Sequence, residues 1–578
     1  MRWRWKRHAR RWVPGCHRRR RCPGRRKRAR PSRITLSLPS IWAHPRIQAR
    51  RGVCVWVDLL VEEILKARGL KAHVVNDAWS PSGYAHMGSL RGVVLHDAIT
   101  RGLRERGVET EFIYGFDDYD PLDAVPPYLD REQFAPYLGV PLANVPAPPP
   151  GAASFADFYS RRFIEVYERL GCSPTPYWGS DLYRGGRMNE AIRRVLDRAA
   201  EIMEIDREIS GSRRAERHPL QVICEACGKI ATTLVVGWDG EEVSYECLPE
   251  KVTWTRGCGH RGRRSPFDGA AKLIYRVEWA AKWWVLGVTV EGAGKDHFTR
   301  GGSHDTASAV VERIFNYPTP FPIPYEFLLV GGRKMSGSAG RGVLAHEFLE
   351  ILRPELARFL MVRLHYREQK NFDPGGETIP RLYDEYDRAA RAFLGQVDDP
   401  ELARTYWYAR TDGARPDVAR PRFSKVAYLV QIPSVQLEAA VAEEKGGPLT
   451  AEDREELAQR VGDARRWLAR YAPDAYRFEV QPDLPAPAGG LSARQQEFLA
   501  RLAQVAEQAE SWRGEVLHSR IHDLKATMGL VPAEAFGAIY LAFLGKTSGP
   551  QAGWLLAALD REFVLRRLKQ AAGARAGS

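Results

Sequence analysis

The sequence lacks any apolar run near twenty residues, the length that a helix needs to cross a bilayer. It also lacks an internal repeat, and its eight cysteines are not arranged as a disulfide framework. These absences argue against membrane-spanning, repeat and disulfide-rich proteins. We expect a cytoplasmic protein without membrane contact and without an evident obligate protein partner. At 578 residues the chain is long enough for two to four domains.

Acidic residues are absent from residues 1–50, which carry 16 Arg and 2 Lys. That segment supplies a charge of +18, more than the net +15 of the whole chain, and leaves 68 basic against 71 acidic residues elsewhere. A nucleic-acid-binding surface on the folded body must therefore be a local patch. We expect residues 1–52 to be a disordered, non-essential basic leader. Three interpretations of this leader remain open: a nucleic-acid-binding arm, an organellar transit peptide, or translated upstream sequence.

Strands and helices alternate over the first part of the folded body, which predicts a parallel sheet and an α/β fold. Helical patterns at 57–66 and 90–103 alternate with strand patterns at 73–75 and 111–114. Four further segments follow: a proline-rich break at 141–150, a mostly helical stretch at 154–220, a return to α/β at 273–344, and helices from 347 with a linker at 481–490.

A glycine-spaced histidine connects the strand pattern at 73–75 to the helix pattern at 90–103. The segment is Ser80-Pro-Ser-Gly-Tyr-Ala-His-Met-Gly-Ser89. A helix start favours an anion through its backbone N–H groups and dipole. Gly83 and Gly88 would let a nucleotide approach the backbone, and His86 could donate to a phosphate oxygen whose charge changes during reaction. A glycine-rich turn with a surface histidine explains the same residues about as well.

Four cysteines cluster within 35 residues and predict a structural zinc site. Cys224 and Cys227 form a CxxC corner, whereas Cys247 and Cys258 stand eleven residues apart. His260 is an alternative to Cys258 as the fourth ligand. A site closed by four protein ligands leaves no open position, so we do not expect catalysis there.

A second short motif, Gly331-Gly-Arg-Lys-Met-Ser-Gly-Ser338, follows the histidine motif after nearly 250 residues. Between the two stand Glu278-Trp279-Ala-Ala-Lys-Trp283, Gly294-Lys-Asp-His297 and Gly301-Gly-Ser-His-Asp-Thr306. From about Val53 to the C-terminus, these motifs resemble, in order, those of archaeal-type class I lysyl-tRNA synthetases. The resemblance implies a Rossmann-like catalytic domain at 53–345 and an all-α anticodon-binding region at 346–578. The catalytic domain would contain an insert at 146–270 with a zinc ribbon at 222–262.

The resemblance also implies a lysine–tRNA ligase that uses ATP, Mg²⁺, L-lysine and tRNA(Lys). His86 and Lys334 would stabilise phosphate charge, while Ser336 and Ser338 shape a loop that closes on pyrophosphate. One carboxylate of the Asp117–Asp120 segment is a candidate for the lysine ammonium. The implied ATP-binding residues are Ser82, Gly83, Gly88, Ser89, Gly294, Asp296, Lys334, Met335 and Gly337. The implied lysine-binding residues are Ser80, Trp279, Trp283 and His297.

Several positions depart from the family pattern. Ala78 stands where glycine is frequent, Ser89 where asparagine is common, and Gly337 and Ala339 interrupt the usual Lys-Met-Ser-Ser-Ser-Lys-Gly. Residues 147–158 lack the ligands of a second zinc, which we expect to be absent. Two alternatives remain: a class I synthetase paralogue for another amino acid, and a tRNA-binding homologue with impaired catalysis.

Overall fold

A computed structural model describes residues 54–149, 151–211, 218–330, 343–411, 415–432 and 435–573. The basic leader and the lysine motif at 331–338 lie outside the described residues. The predictions made for Lys334, Met335, Ser336, Gly337 and Ser338 therefore stay predictions.

The first four elements follow the predicted alternation with wider limits. They are α1 (Trp56–Arg68), β1 (His73–Trp79), α2 (Met87–Glu105) and β2 (Thr110–Phe116). The sequence predicts that the strand ends at residue 75, because Asn76 and Asp77 are polar. In the structure it continues to Trp79, and both polar residues are buried. Hydrophobic patterning alone therefore ended the strand too early.

The following segment, up to residue 210, is mostly helical, as predicted, but it also supplies a strand to the main sheet. Its elements are α3 (Arg131–Phe134), α4 (Phe155–Arg169), β3 (Thr175–Trp178), α5 (Gly179–Arg184), α6 (Asn189–Asp197) and α7 (Ala199–Ser210). Because β3 pairs with β2, the residues predicted to form an insert at 146–270 are partly integral to the sheet.

A small antiparallel region comes next. Its strands are β4 (Leu220–Val222), β5 (Thr233–Trp238), β6 (Val243–Cys247), β7 (Arg261–Arg264) and β8 (Ala271–Leu273). Strands β5, β6 and β7 form a three-stranded sheet, and β4 pairs with β8. The chain then returns to α/β structure with α8 (Tyr275–Leu286), β9 (Val290–Gly294), α9 (Ser303–Arg313), β10 (Phe321–Tyr325) and β11 (Leu328–Val330).

Five parallel strands form the main sheet, in the order β10-β9-β1-β2-β3. The chain builds the sheet outward from β1, first through β2 to β3 on one side and then through β9 to β10 on the other. Adjacent connections therefore leave β1 in opposite directions. In open α/β sheets, ligands bind at the carboxyl ends of the strands beside such a switch point.

The described part after residue 343 is helical apart from β12 (Lys370–Phe372), which pairs in parallel with β11. Its helices are α10 (Ala345–Ile351), α11 (Pro354–Val362), α12 (Thr378–Phe393), α13 (Pro400–Ala409), α14 (Phe423–Leu429), α15 (Leu437–Lys445), α16 (Ala451–Arg470), α17 (Ala493–Glu507), α18 (Gly514–Thr527), α19 (Pro532–Leu544), α20 (Ala552–Ala558) and α21 (Arg561–Ala572).

The hydrophobic core does not divide at residue 346. One continuous core joins residues from Val57 to Ala472, and a separate core unites residues from Ile432 to Ala571. The fully buried Arg358 on α11 reinforces the first core, because it donates to Asp97 on α2 and to the carbonyl oxygen of Tyr408 at 3.0 Å. The helices from α10 to α13 thus pack with the sheet rather than with the C-terminal helices.

None of the helices in the described ranges combines the length and the apolar character that a bilayer crossing requires.

Candidate active site

A cavity of about 440 Å³ opens at the carboxyl ends of β1, β2, β9 and β10, on the side of the switch point. A smaller cavity of about 180 Å³ adjoins it. The two share six lining residues: Asp77, Ala78, Trp79, His86, Gly294 and Tyr325. One divided site therefore lies where the fold predicts a ligand.

The histidine motif forms the turn between β1 and α2 and contributes to both cavities. Ser82 and Gly83 line the larger cavity, Gly88 and Ser89 line the smaller one, and His86 lines both. His86 is the N-cap residue of α2, with an extended backbone (φ −89°, ψ 163°). The structure thus brings the predicted phosphate-binding residues together at one helix start.

Backbone carbonyls engage two of the amides that were expected to face an anion. Met87 N donates to Val343 O at 3.0 Å, and Ser89 N donates to His86 O at 3.0 Å. These two amides therefore already have acceptors within the protein, and the His86 side chain is the donor assigned to a phosphate at this helix start.

The contact with Val343 places the first described residues after the lysine motif beside the histidine turn. Ala345 N donates to Ala85 O at 2.8 Å, so residues 343–345 run beside the histidine turn. Before the motif, Leu328 on β11 lines the same small cavity as His86. The described residues on both sides of the motif therefore lie next to His86.

Two lysines neutralise most of the acidic side chains at the larger cavity. Lys282 on α8 pairs with Asp117 and lies 3.3 Å from Glu278, and Lys272 on β8 pairs with Glu278 and lies 3.1 Å from Asp120. Burial acts to lower the pKa of Lys282, but Asp117 and Glu278 hold it well above its usual value. Both lysines therefore stay charged as fixed counter-ions.

The Asp117–Asp120 segment is thus occupied by partners within the protein. Asp120 also accepts a hydrogen bond from Ser80 Oγ at 2.5 Å. Asp118 accepts from the backbone N–H of Ser180 at 2.7 Å, and burial raises its pKa to about 6. Each of these three aspartates thus already has a hydrogen-bond or ion-pair partner within the protein, and the role of the segment toward a lysine ammonium stays a prediction.

Glu291 is a cavity carboxyl without a lysine or arginine partner among the described residues. It lies on β9 directly beside Asn76 of β1, whose Nδ2 donates to it at 2.7 Å, and Trp279 Nε1 also donates to it. Burial raises the pKa of Glu291 to about 7, although these hydrogen bonds act to lower it. A bound cation would therefore favour its ionised form.

Tyr177 completes this arrangement from across the sheet. Its hydroxyl donates to Asn76 Oδ1 at 3.2 Å, which orients the amide that donates to Glu291. The ring passes over β2 at Gly115, where a Cβ would meet the tyrosine hydroxyl. Glycine at that position is therefore what allows a residue of β3 to reach β1.

Asp77 is a second cavity carboxyl without a described lysine or arginine partner. Its Oδ1 accepts from Ala78 N at 2.9 Å, and its Oδ2 lies 3.7 Å from His96 Nδ1. Burial lowers the pKa of His96 to about 4, so this imidazole is neutral at physiological pH. Burial also raises the pKa of Asp77 well above its usual value, and the nearby Glu291 and Asp117 raise it further.

The residues predicted to bind lysine do not all reach the cavity. Ser80, Trp279 and His297 line it, but Trp283 is fully buried and packs behind Trp279 at a ring-centroid distance of 5.1 Å. We therefore assign Trp283 to the support of Trp279 rather than to ligand contact. Residues four positions apart share one face of a helix, so their spacing alone could not show which of the two tryptophans reaches the cavity.

Two of the residues predicted to bind ATP beyond the histidine turn, Gly294 and Asp296, are described, and Gly294 lines both cavities. Asp296 follows it in a short 3₁₀ turn (Lys295–Phe298) and is exposed rather than part of either wall.

Sequence reasoning missed the fixed charges of the site. Lys272, Glu278, Lys282 and Glu291 come from three consecutive elements, and the sequence contains no signal that they converge. Asn76 and Asp77 did offer a signal, since two polar residues inside a buried strand indicate a ligand or a buried network. Tyr275 and Tyr325 also line the cavity without having been predicted.

The four clustered cysteines converge beside β5, β6 and β7. The sulfur atoms of Cys224, Cys227, Cys247 and Cys258 all lie within 4.8 Å of one another. Two of these distances, Cys224–Cys258 and Cys227–Cys247, are 3.7 Å. Tetrahedral Zn–S bonds of about 2.3 Å require sulfur separations of about 3.8 Å, so the cluster fits a zinc ion. The geometry favours Cys258 over His260 as the fourth ligand.

Curated relatives cover nearly the whole length of the chain. A lysine–tRNA ligase of Methanosarcina barkeri is 34% identical over 89% of this chain and 97% of its own length. Lysine–tRNA ligase 1 of Methanosarcina acetivorans is 35% identical over 89% of this chain and 98% of its own. A lysine–tRNA ligase of Archaeoglobus fulgidus is 32% identical, with coverage of 89% and 99%.

Two family models match separate parts of the chain. The model described as "Anticodon binding domain" matches residues 474–572, which contain helices α17 to α21. The model described as "tRNA synthetases class I (K)" matches residues 54–412, which contain the sheet, both cavities and the cysteine cluster. Together with the relatives, this match shows that the chain belongs to the class I (K) family of tRNA synthetases.

Proposed function

We propose that this chain is a lysine–tRNA ligase. It activates lysine with ATP and transfers the lysyl group to the 3′ end of tRNA(Lys). The observation that carries the proposal is an acidic cavity next to His86 at the switch point of a class I synthetase sheet. Relatives named lysine–tRNA ligase at 32–35% identity support the same choice of amino acid.

The reaction has two steps. The lysine carboxylate attacks the α-phosphorus of ATP and gives lysyl-adenylate and pyrophosphate. A ribose hydroxyl at the tRNA terminus then attacks the acyl carbon, and AMP leaves. The protein contributes chiefly by positioning the reactants and by stabilising the charge that develops on phosphate.

The larger cavity is the lysine site in this proposal. Two of its five carboxyl-bearing residues, Asp77 and Glu291, have no lysine or arginine partner in the described part of the chain, so they can balance a cationic substrate. Trp279 offers an apolar face for the aliphatic stem, and Ser80 and His297 complete the wall. An acidic side chain such as glutamate would meet repulsion at this site.

ATP occupies the smaller cavity and the histidine turn. Ser82, Gly83, Gly88, Ser89 and Gly294 line these walls, and Asp296 lies just beyond them. His86 donates to the phosphates in this assignment. Mg²⁺ supplies further neutralisation of the phosphate charge when it is bound.

Lys334 is assigned to the triphosphate of ATP because the chain that connects it to β11 is short. It follows Val330 of β11 by four residues, so the two Cα atoms are at most about 15 Å apart. Val343, nine residues later, is hydrogen-bonded to the first residue of α2. With Met335, Ser336, Gly337 and Ser338, Lys334 thus belongs to a loop whose described flanks both lie beside His86.

We assign the four cysteines to a single structural Zn²⁺. Four thiolates leave no open position for catalysis. The tRNA anticodon is assigned to the region from 474 to 572, in line with its family model.

Amino-acid-dependent ATP–pyrophosphate exchange tests the proposal. Lysine should support exchange, whereas arginine and glutamate should not. His86→Ala and Lys334→Ala should each reduce lysine-dependent exchange by about 10²- to 10³-fold, the usual effect of losing a donor to a developing negative charge. Lys370→Ala is the matched control, since Lys370 lies on β12 outside both cavities.

Each alternative has its own signature in that assay. Exchange with arginine or glutamate but not lysine would indicate a paralogue for another amino acid. Binding of tRNA without exchange for any amino acid would indicate a homologue that has lost catalysis. If both substitutions left exchange unchanged, the assigned phosphate contacts would be wrong.

A further inference from the structure

An aromatic cluster lies at the rim of the larger cavity, on the side of the histidine turn. Tyr84 is its centre and lines the cavity itself. The rings of Tyr128, Tyr159 and His346 lie 5.2, 5.0 and 5.0 Å from that of Tyr84, and Phe158 lies at 6.2 Å. Tyr159 belongs to a small hydrophobic core on which Tyr84 and Phe158 also pack, but packing on this core does not explain the exposed ring of Tyr128.

Part of the cluster is open to solvent. Tyr128 is 41% exposed, which is unusual for a large aromatic side chain among the described residues. Its hydroxyl accepts a hydrogen bond from Tyr84 N at 2.7 Å, so the exposed ring is held in place rather than left to move. A rigid, exposed ring beside a catalytic cavity is suited to stacking on a flat ligand.

A cation adjoins the rings. The guanidinium of Arg162 on α4 lies 4.4 Å from the centre of the Phe158 ring, and its side chain is exposed. Aromatic rings next to an arginine form the usual combination for single-stranded nucleic acid, in which a base stacks and a phosphate pairs. An apolar peptide would not call for the arginine, and a folded duplex could not present an unstacked base.

The proposed reaction uses two adenine nucleotides, ATP and the 3′-terminal adenosine of the tRNA, and the position of the cluster indicates which one it contacts. The cluster borders the larger cavity, assigned above to lysine, and none of its rings lines the smaller cavity, assigned to ATP. The transfer step requires the terminal ribose of the tRNA to approach the acyl carbon of the lysyl group. A base at this rim would belong to the nucleotide that carries that ribose.

We infer that Tyr128, with Tyr84, Phe158 and His346, forms a stacking platform for the 3′-terminal adenosine of the tRNA, and that Arg162 pairs with an adjacent phosphate. This inference rests on the proposed function, because it assumes an RNA end that receives an acyl group. The platform positions the acceptor end for transfer and takes no part in the formation of the adenylate.

The test is a cycle that combines one protein change with one RNA change. Dissociation constants are measured for full-length tRNA and for tRNA that lacks the terminal adenosine, with wild type and with Tyr128→Ala. Loss of one stacked base should weaken binding by about 5- to 150-fold in wild type. In Tyr128→Ala the two RNAs should bind about equally. An equal loss in both proteins would overturn the inference.

A second readout separates stacking from folding. Tyr128→Ala should retain lysine-dependent pyrophosphate exchange within about twofold while it lowers the rate of transfer. Tyr128→Phe keeps the ring but loses the hydroxyl contact with Tyr84 N, so it should retain most of the RNA discrimination. Tyr137→Ala is the matched control, since Tyr137 is a half-buried tyrosine packed on the same small core without joining the ring cluster. A parallel fall in exchange and transfer, or a raised KM for ATP, would assign the rings to the turn or to ATP and would overturn the inference.

These outcomes are distinct from a failure of the proposed function. If lysine supported no exchange, the identity of the amino acid would be wrong, but the RNA cycle would still report whether Tyr128 contacts a terminal adenosine.

Discussion

At the scale of single residues, the site is governed by which carboxyls already have a cation. Asp117, Asp120 and Glu278 are paired with Lys272 or Lys282, so their charge is balanced before any ligand arrives. Among the described residues, the hydrogen bonds that Glu291 accepts from Asn76 and Trp279 come from neutral groups. A buried carboxyl group without a cationic partner is suited to bind a cation, because the positive charge of the ligand stabilises its ionised form.

Glu291→Gln should therefore weaken lysine binding. The loss of a charged hydrogen bond predicts an increase of about 10- to 150-fold in the KM for lysine in pyrophosphate exchange. Because burial raises the pKa of Glu291 to about 7, lysine affinity in wild type should increase as the pH rises from 6 to 8. The variant should lose this pH dependence and keep its KM for ATP within about twofold.

Thermal stability is the control that separates weaker lysine binding in Glu291→Gln from a general folding defect. Folding raises the pKa of Glu291 from 4.5 to about 7, so the folded state binds the proton more tightly than the unfolded state. The contribution of this group to stability therefore falls as the pH rises between those values. At pH 8 the glutamine variant should melt at a temperature no lower than that of wild type. A lower Tm together with a raised KM for ATP would indicate a general defect instead.

At the scale of elements, the cysteine cluster is the clearest case in which local sequence and tertiary contact agree. The CxxC corner at Cys224 and Cys227 precedes β5, whereas Cys247 ends β6 and Cys258 precedes β7. Three short strands have little apolar surface of their own, so a metal bond compensates for the small core.

Purified protein should contain about one zinc per chain, as measured by elemental analysis. Cys227→Ser should reduce the zinc content to less than about a fifth of that value, because one lost thiolate opens a closed tetrahedral site. Trypsin should then cleave faster at the arginines of β7, an edge strand. Cys54→Ser is the control, since Cys54 is exposed and lies outside the cluster. Unchanged metal content in Cys227→Ser would contradict the four-cysteine site.

At the scale of the whole molecule, charge and core are distributed unevenly. Residues 1–50 carry +18, while the rest of the chain is close to neutral. The positive groups that the structure describes at the site, Lys272 and Lys282, lie in the folded body and are already paired with acids.

Deletion of residues 1–52 should therefore leave lysine-dependent exchange within about twofold of wild type. The KM for tRNA in the charging reaction should also change by less than about threefold at 150 mM salt, where exposed charges are strongly screened. Measurement across a range of salt concentrations checks this expectation. A large, steeply salt-dependent loss of tRNA affinity would instead make the leader an RNA-binding arm.

The extent of each core also became clear only at this scale. The sequence predicts helices after residue 347, and the structure contains them, but a helical pattern does not say what a helix packs against. Most core residues between 345 and 472 share a core with the main sheet, whereas Ile432 and the core residues from 478 onward form another. The contacts of Arg358 with Asp97 and Tyr408 join positions far apart in the chain, and no local pattern announces them.

The sequence by itself determined the elements that depend on neighbouring residues. The strand, glycine turn and helix around His86, the zinc-binding spacing and the resemblance to class I synthetases all follow from short segments whose physics is local. Three properties became known only from the tertiary structure. They are the cavity carboxyls without a described lysine or arginine partner, the position of Trp283 behind Trp279, and the cluster of aromatic rings at the cavity rim. The reason is that these properties depend on distances between residues remote in the chain, and burial sets the pKa values once those residues have met.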